Sequence, residues 1–121
     1  MTPEKFKKLV KEALLQIPRE MRSRVDNVDI VVENSPTIEQ LAGSGINNDD
    51  QYLLGLYEGI PLTERYGYDM VLPDKITLFQ DSIEQVCSND EEIIKEVRDT
   101  MVHEIAHHFG MSEDKLRNLD V

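Results

Sequence analysis

Three histidines, His103, His107 and His108, all lie in the segment HEIAHHFG, and the chain has no others. If this segment is helical, His103 and His107 are one turn apart on the same face, and their imidazoles can converge on one ion. Neutral imidazole nitrogen is a good ligand of zinc. Glu104 projects close to His107, where its carboxylate can reach a water molecule held by the ion. The segment therefore predicts a zinc site with His103 and His107 as ligands and Glu104 as general base.

This set of groups favours hydrolysis of a peptide or amide bond. A zinc ion lowers the pKa of its bound water to about 7 and polarises a carbonyl group. Glu104 would take the proton of the water and pass it to the departing amine. The alternative is an exposed helix face that carries these residue types by chance. It is disfavoured because the segment lies on a capped helix with apolar periodicity that ends at a glycine.

A third protein ligand is expected, because a catalytic zinc site usually has three and leaves the fourth position to water. Gly110 lets the chain reverse after the helix, and Glu113 follows three residues later. Glu113 is our first choice for this ligand, with Asp114 as the alternative. Both acids can also complement the positive N-terminus of a final short helix capped by Ser112. His108 falls on the apolar side of the helix, so we expect it to be buried or to support a ligand.

A long helix must position the histidine pair. Asn89 and Glu92 form a capping-box pattern, and no Gly or Pro occurs before Gly110, so the sequence predicts a helix over about 90–109. The histidine pair lies outside its broad apolar side. That apolar side is predicted to contain Ile94, Val97, Met101, Val102, Ile105 and Phe109.

The other elements predict an α+β fold with a small sheet. An N-terminal helix is expected from the Thr2 cap to Pro18, and a short helix over 81–87 from the capping-box pattern of Asp81 with Glu84. Strands are expected over 28–33, 52–57 and 76–79. Gly55 in the second strand indicates a bulge or a close backbone approach. The intervening segments 37–51 and 58–74 are rich in turn-forming residues and are expected to be loops.

Composition narrows the class of protein. A length of 121 residues predicts one domain spanning 1–121. A net charge of -11 disfavours nucleic acid and anionic membranes as partners. The single cysteine, Cys87, is expected to be buried packing and not a metal ligand, and it fits a reducing compartment. The charged N-terminal segment predicts neither a signal peptide nor a membrane span, so we expect a cytoplasmic protein.

The segment HEIAHHFGMSE resembles the minimal zincin-like metallopeptidases of bacteria, short acidic proteins with the pattern HExxHxxGxxD. Glu113 stands where that family commonly has Asp. The segments LLGLYEGIPLTER and LPDKITLF, and the order of first helix, Pro18 and DNVDIVVE, are also similar to the family. The resemblance implies a compact zincin-like domain, with a mixed sheet of about three to four strands packed on the N-terminal helix and the metal-binding helix. It also implies an edge strand, 76–79, that aligns an extended peptide substrate.

Three functional hypotheses follow from these residues. The first is a zinc metallopeptidase that acts on a peptide or protein substrate. The second is a zincin-like module that binds metal without catalysis and has a regulatory or interaction role. The third, an interaction domain without metal, is the least favoured because the histidines are clustered. Neither the substrate sequence nor the oligomeric state can be predicted from the sequence.

Overall fold

The computed structural model describes residues 1–26, 28–44, 52–59 and 74–110. Within these ranges helices and strands are mixed along the chain, which confirms the predicted α+β fold. The elements, in chain order, are α1 (Pro3–Leu15), α2 (Arg19–Asp26), β1 (Val28–Glu33), α3 (Ile38–Ser44), β2 (Gly55–Glu58), β3 (Asp74–Phe79), α4 (Gln80–Val86) and α5 (Asp90–His108).

The three described strands form one mixed sheet in the order β1-β3-β2. β1 runs parallel to β3 from the Val28–Asp74 pair onwards, and β2 runs antiparallel to β3 on its other side. β3 is therefore central, and the prediction that 76–79 is an edge strand was wrong. Residues 76–79 are all buried, which is why this run shows no alternation of apolar and charged residues. Among the described strands, β2 is the edge strand on the side of α5.

The N-terminal helix forms for the reasons that the sequence indicates. The Thr2 side chain accepts a hydrogen bond from the Lys5 N–H at 3.1 Å, and Pro3 occupies the first turn. The buried side of the helix packs against α5. It consists of Phe6, Leu9, Val10 and Ala13. A second helix, α2, follows Pro18 and was not predicted; it buries Met21 and Val25 in the same core.

The long helix α5 begins where the sequence predicts. The Asn89 side chain accepts a hydrogen bond from the Glu92 N–H at 2.9 Å. Phe109 was wrongly placed on its buried side: the helix ends at His108, and Phe109 is 46% exposed beyond it. The buried side instead includes Ile93 and Ala106 and leaves Ile94 partly buried. Its fully or nearly fully buried members are Ile93, Val97, Met101, Val102, Ile105 and Ala106.

Two short helices differ from the predictions. The segment 37–51 was expected to be a loop, but α3 forms in it because Thr37 and Gln40 cap each other, with bonds of 2.8 and 3.0 Å. Helix α4 was predicted, although its capping box was wrong. Its N-cap is Phe79 without a side-chain bond, and Asp81 instead accepts a hydrogen bond from the Ser35 hydroxyl at 3.0 Å. No helix in the described part of the chain combines the length and apolar character needed to cross a bilayer.

Candidate active site

The last three turns of α5 bring the predicted histidine ligands together. His103 and His107 are exposed and one turn apart, with ring centroids separated by 6.5 Å and ring planes at 62°. Two imidazoles that share a tetrahedral zinc ion have ring centres roughly 5 Å apart. Rotation of the exposed His107 side chain can supply the remaining approach, because its ring is not packed in the core. The donor chemistry and the placement of this pair therefore fit a zinc ion.

One ring nitrogen of His103 already has a partner. Nδ1 lies 2.7 Å from the Asp99 carbonyl oxygen, one helical turn earlier. A carbonyl oxygen only accepts, so this contact requires a proton on Nδ1 and leaves the lone pair of the neutral ring on Nε2. A backbone carbonyl on the other nitrogen is the usual support of a metal-binding histidine. The His103 side chain is thus oriented and in the tautomer that a ligand needs.

Glu104 connects the helix to the edge strand. It is half-buried, and its Oε1 accepts a hydrogen bond from the backbone N–H of Tyr57 in β2 at 2.9 Å. The Phe79 N–H donates a hydrogen bond to the Leu54 carbonyl, so residues 54 and 79 form a hydrogen-bonded pair of the antiparallel ladder. Hydrogen-bonded and non-hydrogen-bonded pairs alternate along such a ladder. The N–H groups of Gly55 and Tyr57 therefore point away from β3. The candidate general base is therefore anchored by the outer edge of the sheet.

A cleft of about 370 Å³ lies between α5 and the segment that leads into β2. Leu53, Leu54 and Gly55 line one side, and five residues of α5 that include His103 and Glu104 line the other. Gly55 is needed for this close approach, since a Cβ there would lie 2.7 Å from Thr100 Cγ2. The sequence prediction of a close backbone approach at Gly55 is confirmed.

His108 does not lie where the sequence predicted. Its side chain is 39% exposed and stacks on the Tyr57 ring, with centroids 4.0 Å apart and planes at 22°. Its Nε2 lies 3.9 Å from Asp74 Oδ2. The expectation of a buried histidine was wrong because the His108 ring lies against Tyr57 of the edge strand and not in the core. His108 contacts the site through the ring of Tyr57, whose backbone N–H binds Glu104.

The candidates for the third ligand are not among the residues that the structure describes. Glu113 and Asp114 are outside, so their assignment as third ligand stays a prediction. Within the described ranges, no group of three or more metal-binding side chains occurs.

Cys87 is half-buried and packs against the core. Burial raises the pKa of its thiol above the usual 9.0, and the negative charges of Glu96 and Glu92 raise it further. A raised pKa keeps the sulfur protonated, and a protonated thiol is a poor metal ligand and nucleophile. The structure thus supports a packing role.

Sequence reasoning missed the backbone of Tyr57 as a partner of Glu104. The signal available was Gly55, two residues earlier, because a glycine that permits close approach to a helix also brings its neighbours to that helix. The Tyr57 hydroxyl donates to Asp74 Oδ2 at 2.8 Å.

Comparisons with known proteins give the family and the fold of this chain. The sequence profile of zincin-like metallopeptidases matches residues 25–121, which include all of β1 to α5. A solved structure of a conserved hypothetical protein from T. thermophilus shares the fold, with a TM-score of 0.55 and 24% identity over 90% of this chain and 94% of that chain. No curated protein matches the chain significantly. From the profile match, the chain belongs to the zincin-like metallopeptidase family.

Proposed function

We propose that this protein is a zinc-dependent metallopeptidase in which His103, His107 and Glu113 bind the metal, with Asp114 as the alternative third ligand. Glu104 is the general base. The observation that carries the proposal is the placement of His103 and Glu104 along one wall of an open cleft whose opposite wall leads into an edge strand. An extended peptide fits such a cleft because a strand edge offers it backbone hydrogen bonds.

The residues of the chain divide the work of hydrolysis. Bound zinc supplies a Lewis acid that polarises the scissile carbonyl and acidifies water. His103 is held for ligation by its Nδ1 contact with the Asp99 carbonyl. The outward backbone groups of Gly55 align the substrate strand. Glu104 accepts a proton from the attacking water and returns it to the amide nitrogen, so the products are a carboxylate and an amine. One carboxylate oxygen, Oε1, is held by Tyr57, and the second can carry the proton.

Two properties of the sequence, its net charge and its single cysteine, support the proposed partner and compartment. A net charge of -11 opposes binding to phosphate backbones and anionic lipids, which supports a peptide or protein substrate. The single cysteine is compatible with a reducing environment, and we propose a cytoplasmic location.

The test compares wild type with Glu104→Gln on a broad peptide library, with zinc content measured in both. We expect wild type to cleave and Glu104→Gln to lose about 10²-fold or more in kcat while retaining zinc. Glu91→Gln is the matched control: it makes the same chemical change on an exposed residue in the first turn of α5 and should leave kcat unaltered. Equal activity in Glu104→Gln would refute the assigned base. Stoichiometric zinc without turnover in wild type would instead support the non-catalytic module.

A further inference from the structure

We propose that Tyr57 is a positioning residue for Glu104: its backbone N–H holds the carboxylate, and its side chain, clamped by His108 and Asp74, holds that N–H in place. The proposal rests on the proposed peptidase function for its catalytic consequence. The contacts themselves do not depend on metal. They join the edge strand, the end of the helix and the start of the central strand.

The first step is the backbone bond. The Tyr57 N–H lies 2.9 Å from Glu104 Oε1, a good length for a charge-assisted hydrogen bond. This N–H points away from β3, so it is not used in the sheet ladder. A glutamate has three side-chain torsions, and fixing one carboxylate oxygen removes most of the orientations it would otherwise sample. The bond thus selects the orientation in which the carboxylate faces the cleft.

The second step is the clamp on the Tyr57 side chain. Its ring stacks on His108 at 4.0 Å, and its hydroxyl donates to Asp74 Oδ2 at 2.8 Å. Phe109 contacts the same ring edge-on at 6.4 Å and is itself covered by the Arg24 guanidinium. Side-chain contacts on two elements therefore fix residue 57. With the ring stacked and the hydroxyl bonded, the χ1 and χ2 torsions of Tyr57 are held in one rotamer, which restrains the strand backbone at residue 57 and the N–H that it carries.

Orientation of Glu104 by Tyr57 should affect the chemical step of hydrolysis more than substrate binding. A group that only orients the base alters the rate of proton transfer and leaves metal affinity and ground-state substrate binding largely intact. Loss of the clamp should therefore lower kcat more than it raises KM. A purely structural role would instead change stability without this division.

The first experiment measures backbone amide hydrogen exchange in the zinc-free protein. The Tyr57 amide should be protected in wild type and should exchange at least about tenfold faster in Glu104→Ala. Glu104→Gln keeps a side-chain oxygen as acceptor and should retain part of the protection. The Leu56 amide is the internal control, because its pair with Thr77 belongs to the ladder and should not change. An unaltered Tyr57 amide in Glu104→Ala would overturn the proposal.

The second experiment measures kcat, KM and zinc content in two matched series. Tyr57→Ala keeps the N–H and Tyr57→Pro removes it. Proline is tolerated here because the lost N–H faces off an edge strand. We expect Tyr57→Pro to have a kcat about tenfold or more below that of Tyr57→Ala. In the other series, His108→Ala should lower kcat about threefold to tenfold, and His108→Phe, which restores a stacking ring, should recover it. Zinc content should be constant.

The outcomes separate this proposal from the proposed function. An active wild type, inactivated by Glu104→Gln, with equal kcat in the alanine and proline variants would retain the peptidase and overturn the positioning role. Loss of zinc in His108→Ala without recovery in His108→Phe would also overturn it, because His108 would then be a ligand. A wild type that cleaves no peptide overturns the catalytic role, while amide exchange still reports whether the bond exists.

Discussion

Replacing Gly55 by alanine tests the packing that brings the edge strand against α5. The new Cβ would lie 2.7 Å from Thr100 Cγ2, about 0.7 Å inside the shortest ordinary contact distance of 3.4 Å. Overpacking of this kind costs about 1–3 kcal/mol. Reduced backbone freedom in the unfolded chain offsets roughly 0.4–1 kcal/mol of that cost. The Gly55→Ala variant should therefore unfold with a free energy about 1–2 kcal/mol below that of wild type.

A second substitution makes this test specific. Thr100→Ser removes the clashing Cγ2 and keeps the hydroxyl, so it should recover about half of the loss in the double variant. Recovery is partial because the Thr77 carbonyl oxygen, at 3.2 Å, would still crowd the new methyl group. The single Thr100→Ser variant measures the cost of the methyl group itself. Urea unfolding of all four proteins gives the coupling free energy directly.

The same proteins report on the site. If β2 moves away from α5 in Gly55→Ala, the Tyr57 N–H also moves away from Glu104. The Tyr57 amide should then exchange its hydrogen faster in Gly55→Ala, and the slower exchange should return in the double variant. Two results would show that residue 55 is not packed closely against Thr100. One is wild-type stability in Gly55→Ala; the other is a Thr100→Ser substitution that is additive with it, because additivity means that the two positions do not contact each other.

Two further predictions follow from the described contacts. Asn89→Ala should destabilise the protein by about 1 kcal/mol, because it removes the side chain that caps the Glu92 N–H. Asn89→Asp keeps an oxygen at the cap and should not destabilise the protein. Equal melting temperatures for wild type and Asn89→Ala would contradict this prediction. The raised pKa of Cys87 should make its alkylation at pH 8 slower than that of a cysteine peptide, and Glu96→Gln should accelerate it. The pKa of the Cys87 thiol is higher in the folded protein than in the unfolded chain. The contribution of the thiol to the free energy of unfolding is therefore present below pH 9.0 and is lost as the pH rises through the folded pKa. Identical profiles of stability against pH above 9.0 for wild type and Cys87→Ser would contradict this prediction.

The long helix could be predicted because its signals are local. The Asn89 cap, the apolar period and Gly110 lie within one continuous segment, and Gly110 has the positive φ of 68° expected just after a helix. The relation of His103 to His107 follows from helical spacing alone. Helix α1 was equally clear for the same reason, with Thr2 at its start.

The errors arose where contacts between distant segments decide the structure. The family resemblance implied that the strand at 76–79 is an edge strand, but nothing local reveals that β1 and β2 lie on either side of it. His108 follows the helical count towards the apolar side, yet the helix ends there and the ring stacks on Tyr57, 51 positions earlier in the sequence. The helix at 38–44 was missed because turn-forming residues around Gly43 outweighed the Thr37–Gln40 cap.

Anomalous X-ray scattering at the zinc edge, from crystals of protein purified without chelators, can show whether His103 and His107 bind a zinc ion. We expect one strong peak about 2.0–2.1 Å from an imidazole nitrogen of both His103 and His107, with a carboxylate oxygen of Glu113 or Asp114 as a further ligand. Glu104 should lie near the ion without binding it. A peak at other residues, or no peak after soaking in zinc, would contradict the claim that this helix is a metal-binding catalytic centre.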